Sequence, residues 1–252
     1  MAENKNLKIV NKYANDIVKG KKVACKEMKQ VCQRYLDDKK NPKFDFKTKE
    51  ANLVIEIIER LFEHIQGENL KGEPLAGKSL LLEPWQKFII YNLLGFYWKG
   101  TDNRRYQEAF IMIPRKNGKT SFSAALAFAL AILDRQSNSQ VYIVAAVLRE
   151  ALQAFNFIVK NIEVWGEKPK FRILDNNNEH SIARQFDSGS MRVEALVDRD
   201  SLNANYIIMD ELHEYKNASK YERMKKATRA YTNKLIIGIT TAGDNMNSFC
   251  YN

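Results

Sequence analysis

Long apolar runs are missing from this 252-residue chain, and so are most of the residues that staple small folds or hold metals. It contains only three cysteines, three histidines and five prolines. No apolar run approaches the ~18–20 residues needed to span a bilayer. The opening Met1-Ala2-Glu3-Asn4-Lys5-Asn6 lacks the apolar segment of a secretory signal. Cys25, Cys32 and Cys250 are an odd, sparse set, which argues against a disulfide framework and fits a reducing compartment. Cys25 and Cys32 share a helical face with no histidine nearby, so they read as half-buried thiols rather than metal ligands. His64, His180 and His213 share no ligand spacing. Eleven glycines are too few for a low-complexity linker protein.

Acidic residues are the scarcer charge: 30 Asp and Glu stand against 40 Lys and Arg, a formal net charge of +10. The surplus is uneven, because residues 1–50 hold 14 basic and 7 acidic side chains. That balance suggests a polyanionic partner, either nucleic acid or an anionic membrane. A hydrophobic fraction of 45% and an aromatic fraction of 11% exclude a disordered chain. The length allows one large α/β domain, or such a domain with a small appendage.

The first fifty residues read as basic helical segments, one over Lys21–Lys40 ended by Asn41-Pro42. Leu53, Val54, Ile57, Ile58, Leu61, Phe62 and Ile65 recur at helical spacing, with Glu56, Glu59, Arg60 and Glu63 on the remaining face. Gly67 stops this helix. Pro84 suits the first turn of another, running to about Trp98. Beyond it, strands alternate with helices. Ala109–Ile113, Val141–Ala145, Tyr206–Met209 and Leu235–Ile239 are short apolar runs, as in strands buried on both faces. Residues 119–133 and 149–164 read as helices. Short strands within 171–197 are separated by turns at Asn176-Asn177-Asn178 and Asp187-Ser188-Gly189. The order implies a mostly parallel sheet with helices on both faces.

Four places carry chemistry. Strand 109–113 runs into Pro114-Arg115-Lys116-Asn117-Gly118-Lys119-Thr120-Ser121 and then a helix, the setting of a phosphate-binding loop. Gly118 lets backbone approach phosphate, Lys119 reaches the β- and γ-phosphates, and the Thr120 hydroxyl can ligate Mg²⁺. The first glycine of the standard loop pattern would fall at Ile113, so a plain basic turn is the alternative. Tyr206–Met209 delivers Asp210 and Glu211 to a strand's C-terminal end, where parallel sheets bind ligands. There Asp210 can hold Mg²⁺ and Glu211 can deprotonate water; an acidic helix N-terminus is the alternative. Gly238-Ile239-Thr240-Thr241-Ala242-Gly243 ends a third strand in hydroxyls suited to the γ-phosphate or the lytic water. Gln86 carries an amide that can pair with an adenine edge.

The loop 114–120, Met209-Asp210-Glu211-Leu212-His213 and Thr240-Thr241-Ala242-Gly243 together resemble the large terminase subunit of tailed bacteriophages, in the branch with HK97-type capsids. The resemblance runs from about Leu81 to the end. It implies an ASCE-type, RecA-like P-loop fold over 81–252, preceded by a small basic helical segment over 1–80. It implies a Mg²⁺-dependent ATPase with Arg115 contacting the γ-phosphate, Asp210 and Glu211 as the Walker B pair, Thr240 and Thr241 coupling hydrolysis to motion, and Gln86 reading adenine. It further implies a homo-oligomeric ring that pumps double-stranded DNA, with portal protein and small terminase subunit as partners, in the host cytoplasm and away from membranes. The family's C-terminal nuclease domain is expected to be absent from this chain. A trans arginine finger is sought at Arg149 or Arg199. The Lys216–Lys234 stretch is either a DNA-facing basic helix or a solvated face. Two other readings are a helicase-like remodeller and a DNA-binding module with an inactive loop.

Overall fold

The computed structural model describes residues 4–69, 71–199, 201–243 and 249–250. The chain divides into two compact units: residues 1–59 with 81–107, and residues 60–80 with 108–252. This differs from an expected boundary at residue 80. Segment 81–107 joins the N-terminal helices because its helix packs on the first helix and its short strand pairs with one near residue 45.

The first unit contains α1 (Lys5–Val18), α2 (Lys26–Asp38), β1 (Phe44–Phe46), most of α3 (Lys49–Leu61), α4 (Pro84–Gly95) and β2 (Phe96–Trp98). The helix expected from Lys21 begins only at Lys26, and the one expected to reach Trp98 ends at Gly95. At Gly95 a side chain would collide with Phe46, since a Cβ there would lie 2.9 Å from its ring. Glycine therefore leaves room for the Phe46 ring against the end of α4. β1 and β2 form an antiparallel ribbon, Phe46 opposite Phe96. Tyr35 is fully buried and meets the edges or faces of Phe46, Phe88 and Phe96 at centroid distances of 5.3–5.9 Å.

The second unit is built on a seven-stranded sheet. Its strands are β3 (Glu108–Met112), β4 (Ser139–Val144), β5 (Arg172–Asp175), β6 (His180–Phe186), β7 (Gly189–Leu196), β8 (Tyr206–Asp210) and β9 (Leu235–Thr240), in the order β3-β9-β8-β4-β7-β6-β5. The first five in that order are parallel, and β6 and β5 extend the sheet as an antiparallel meander. This is the expected P-loop NTPase class of fold. One expectation fails: β3 is an edge strand, with Phe110 52% and Met112 43% exposed, and is not buried on both faces. An apolar run of five residues cannot by itself distinguish an edge from a centre.

One sheet face is covered by α5 (Lys119–Leu133) and α6 (Leu148–Val164). From Phe122 to Ala131 α5 is wholly buried, and its alanines let it sit close to the strands. The opposite face carries Tyr142, Val144, Ile207, Met209 and Ile236, packed under Met224 of α7 (Ser219–Ala227) and under Leu212 and Tyr215. No helix among the described residues is long and apolar enough to cross a membrane.

Candidate nucleotide site

The sheet order puts β9 between β3 and β8, so three adjacent parallel strands deliver the three candidate motifs to one edge. Main chain joins them there: the Ile113 N–H donates to the Thr240 carbonyl at 3.0 Å. Loop 114–118 is exposed. Lys116 and Gly118 both adopt left-handed backbone, φ +65° and +70°. Alternation of this kind curls successive N–H groups inward into an anion-binding concavity. Gly118 is the residue that caps α5, and no atom lies within 4 Å of where its Cβ would stand, so the cradle is open at that point. The Asn117 amide donates to the Pro114 and Arg115 carbonyls at 3.1 and 3.3 Å and closes the loop on itself.

Lys119 is the first residue of α5, and its side chain is only 9% exposed. Its ammonium lies 3.0 Å from Asp210 Oδ1 and pairs with Glu211 Oε1. Burial raises the Asp210 carboxyl above its ordinary value, although Lys119 opposes this. For Glu211, burial also favours the neutral form. Lys119, the Thr241 backbone and His213 outweigh it and hold the carboxyl below its usual value. Glu211 itself sits in left-handed backbone at φ +47°, ψ +52°, an uncommon place for a glutamate, with its N–H on Asp210 Oδ1 at 2.9 Å. Strain of that kind concentrates at functional positions.

Lys119, Asp210, Glu211, Thr240 and Thr241 are thus brought together. Thr120 and Ser121 follow in the first turn of α5, half-buried. Arg115 is exposed and has no ion pair among the described residues. Gln86 lies in the other unit, buried, with Oε1 accepting the Glu83 N–H at 2.8 Å in a capping box at the start of α4. Arg149 is exposed on the first turn of α6. Arg199 pairs with the buried Glu194, which Arg192 also holds at 3.0 Å. The basic stretch 216–234 is partly neutralised within the chain: Arg223 pairs with Asp198 at 2.7 Å and Lys225 with Glu108 at 2.6 Å. Lys220 donates to the Ala145 carbonyl at 3.0 Å, and burial lowers its pKa.

Sequence reasoning missed Glu150. It stands on the first turn of α6, and burial together with the charges of Glu214, Glu211 and Asp210 raises its pKa. Only the tertiary fold brings it into that field; in the sequence it reads as a favourable charge at a helix N-terminus.

A family model for the terminase large subunit, ATPase domain, matches residues 84–252. Among solved structures, the large terminase of bacteriophage HK97 superposes with a TM-score of 0.61 at 22% identity, covering 79% of this chain and 39% of that one. The ATPase domain of the large terminase of Thermus phage P74-26 gives 0.43 at 14% identity, with coverages of 55% and 61%. The large terminase of a thermophilic bacteriophage, in complex with ADP, gives 0.41 at 8% identity, with coverages of 53% and 33%. The HK97 likeness is one of fold, and the chain spans 39% of the length of that terminase. No curated protein matches this sequence.

Proposed function

This chain belongs to the terminase large subunit ATPase-domain family, and from that premise we propose that it binds and hydrolyses ATP to drive double-stranded DNA into a viral procapsid. The observation that carries the reading is the meeting of Lys119 with Asp210 and Glu211 at the C-terminal edge of the parallel strands. A buried ammonium held between two carboxylates, beside an open cradle of backbone N–H groups, suits a triphosphate. Phosphate oxygens can take over the ammonium, and the loop and the α5 N-terminus add further donors.

The donor set also fits Mg²⁺. Asp210 and Thr120 offer hard oxygen ligands, and the described residues contain no cluster of three or more His, Cys, Asp or Glu able to hold a metal alone. Asp210 and Thr120 would hold the ion, which would supply positive charge to offset that of the phosphates. Lys119 then stabilises charge on the transferring phosphoryl group. Glu211, kept ionised by its neighbours, orients and deprotonates the attacking water. Arg115, exposed at the head of the loop, supplies further positive charge. The Gln86 amide is proposed to read adenine; its Oε1 accepts the Glu83 N–H and keeps a second lone pair. Thr240 and Thr241 respond to the γ-phosphate. We also propose the ring assembly, the portal and small-subunit partners and the host-cytoplasmic setting on this reading.

The deciding experiment measures ATP turnover and nucleotide binding in the chain and in Lys119→Ala and Glu211→Ala. Both variants should keep the native circular dichroism spectrum and lose turnover. Unchanged turnover in either would remove the assignment.

A further inference from the structure

Thr240 is completely buried at the end of β9, and its hydroxyl oxygen is crowded. It donates to the Thr241 carbonyl at 2.9 Å, accepts the His213 backbone N–H at 3.2 Å, and faces His213 Nδ1 at 2.8 Å. A hydroxyl has one proton; with that proton on the Thr241 carbonyl, Nδ1 carries a proton of its own and donates to Oγ1. The same Nδ1 lies 3.3 Å from Glu211 Oε2, a buried carboxylate oxygen that has no aligned hydrogen bond among the described residues. The other oxygen of that carboxylate, Oε1, is the one paired with Lys119.

From this geometry we infer that His213 is a positioning residue that ties Glu211 to the end of β9. His213 Nδ1 bonds Thr240 Oγ1 and stands 3.3 Å from Glu211 Oε2 without an aligned hydrogen bond, so the carboxylate has Lys119 against one oxygen and His213 against the other. The left-handed turn at Glu211 makes this possible by folding residues 212–214 back over Thr240. The ring has little room to rotate away: a Cβ at Gly243 would come within 3.2 and 3.3 Å of His213 Cβ and Cδ2, so the imidazole lies directly on that backbone. A change in the environment of Glu211 is thereby felt at Thr240 through one side chain. The inference rests on the proposed roles of Glu211 and Thr240.

Substitutions separate the two ring nitrogens, because an Asn amide nitrogen can stand where Nδ1 does and a Gln amide nitrogen reaches only toward Nε2. His213→Ala and His213→Gln should lower kcat roughly 10–100-fold while leaving KM for ATP within about twofold, and His213→Asn should restore kcat to within about threefold. In a Thr240→Val background the further loss on His213→Ala should nearly vanish, since the two residues act as one unit. Rescue by Gln equal to that by Asn, a change confined to KM, or additive losses would overturn the inference. Nitrogen NMR of the wild-type 252-residue chain gives a readout independent of turnover and of variant folding. His213 should appear as the Nδ1–H tautomer, and an Nε2–H tautomer overturns the inference. If the wild-type chain binds no nucleotide, the functional reading fails while the tautomer still tests the His213 link.

Discussion

Two lysines, one in each compact unit, are buried to nearly the same degree and are put to opposite uses. Lys87, on α4, has a side chain 8% exposed, and Lys119, on α5, one 9% exposed. Lys87 pairs with Glu59 at 2.8 Å and donates to the Asn6 amide oxygen at 2.8 Å, and Glu59 also accepts the Leu82 N–H at 2.9 Å. Every partner is fixed by a helix or a chain entry, and the ammonium is both charge-balanced and hydrogen-bonded. Lys119 faces two carboxylates with no further partner, and Glu211 Oε2 and Thr241 Oγ1, both buried, have no hydrogen-bond partner among the described residues. Buried charge is costly unless fully compensated. The complete arrangement holds three helices of the first unit together, and the incomplete one is where a ligand with many acceptor oxygens gains most.

Methionine at each position breaks the comparison most sharply. Lys119→Met should lower ATP turnover by about 10³-fold or more, the scale of losing a cation from a phosphoryl-transfer site. Lys119→Arg should rescue little, because a planar guanidinium does not occupy the place of a compact ammonium. Next in size is Glu211→Gln, which preserves shape and removes the proposed base. Turnover should fall about 10²–10⁴-fold with nucleotide affinity kept, as measured by single-turnover hydrolysis and equilibrium binding. Lys87→Met should leave turnover per folded molecule unchanged and cost about 3 kcal/mol of stability, read from urea unfolding. If instead Lys87→Met lowered turnover without loss of stability, the division between scaffold and site would collapse.

How much of this was legible from residues alone depends on whether burial or partnership was in question. The strands at 141, 206 and 235 and the helix at 119–133 are readable because apolar runs and an alanine-rich stretch report burial directly. The Asp210-Glu211 pair is readable because a buried strand has to end somewhere, and carboxylates there face a crevice. Glu59 falls on the polar face of its helix and reads as solvated, yet it is one half of a largely buried ion pair. Its partner lies 28 positions away on a helix whose own pattern is almost uniformly apolar. Glu150 escapes for the same reason: the charges of Glu214, Glu211 and Asp210 act on it only once the sheet order brings them near. His213 reads in the sequence as a structural neighbour of Glu211, and its contact with Thr240 comes from the fold. The edge position of β3 is a property of topology and leaves no mark in a five-residue apolar run.

The smallest expected effect concerns the charge surplus of the first unit. In residues 19–30, Lys19, Lys21, Lys22, Lys26 and Lys29 are all exposed around the turn between α1 and α2, with Glu27 the one acidic residue among them. Unlike Lys87, these lysines form no ion pair among the described residues, although Lys21 and Lys22 act on Asp16 through charge and Lys22 stands over the Tyr13 ring, and exposed charges contribute little to folding. If they face duplex phosphate, each contact releases counterions and steepens the salt dependence of binding. Replacing Lys21 and Lys22 by alanine should flatten the slope of log binding constant against log salt by about one to two, uniformly across DNA sequences, with unfolding free energy shifted by less than about 0.5 kcal/mol. ATP turnover in the absence of DNA should not change, because neither residue belongs to the unit that carries Lys119 and Glu211. An unchanged salt slope would show that this charge serves solubility alone, and the contrast between the units would then reduce to the difference between a matched and an unmatched buried lysine.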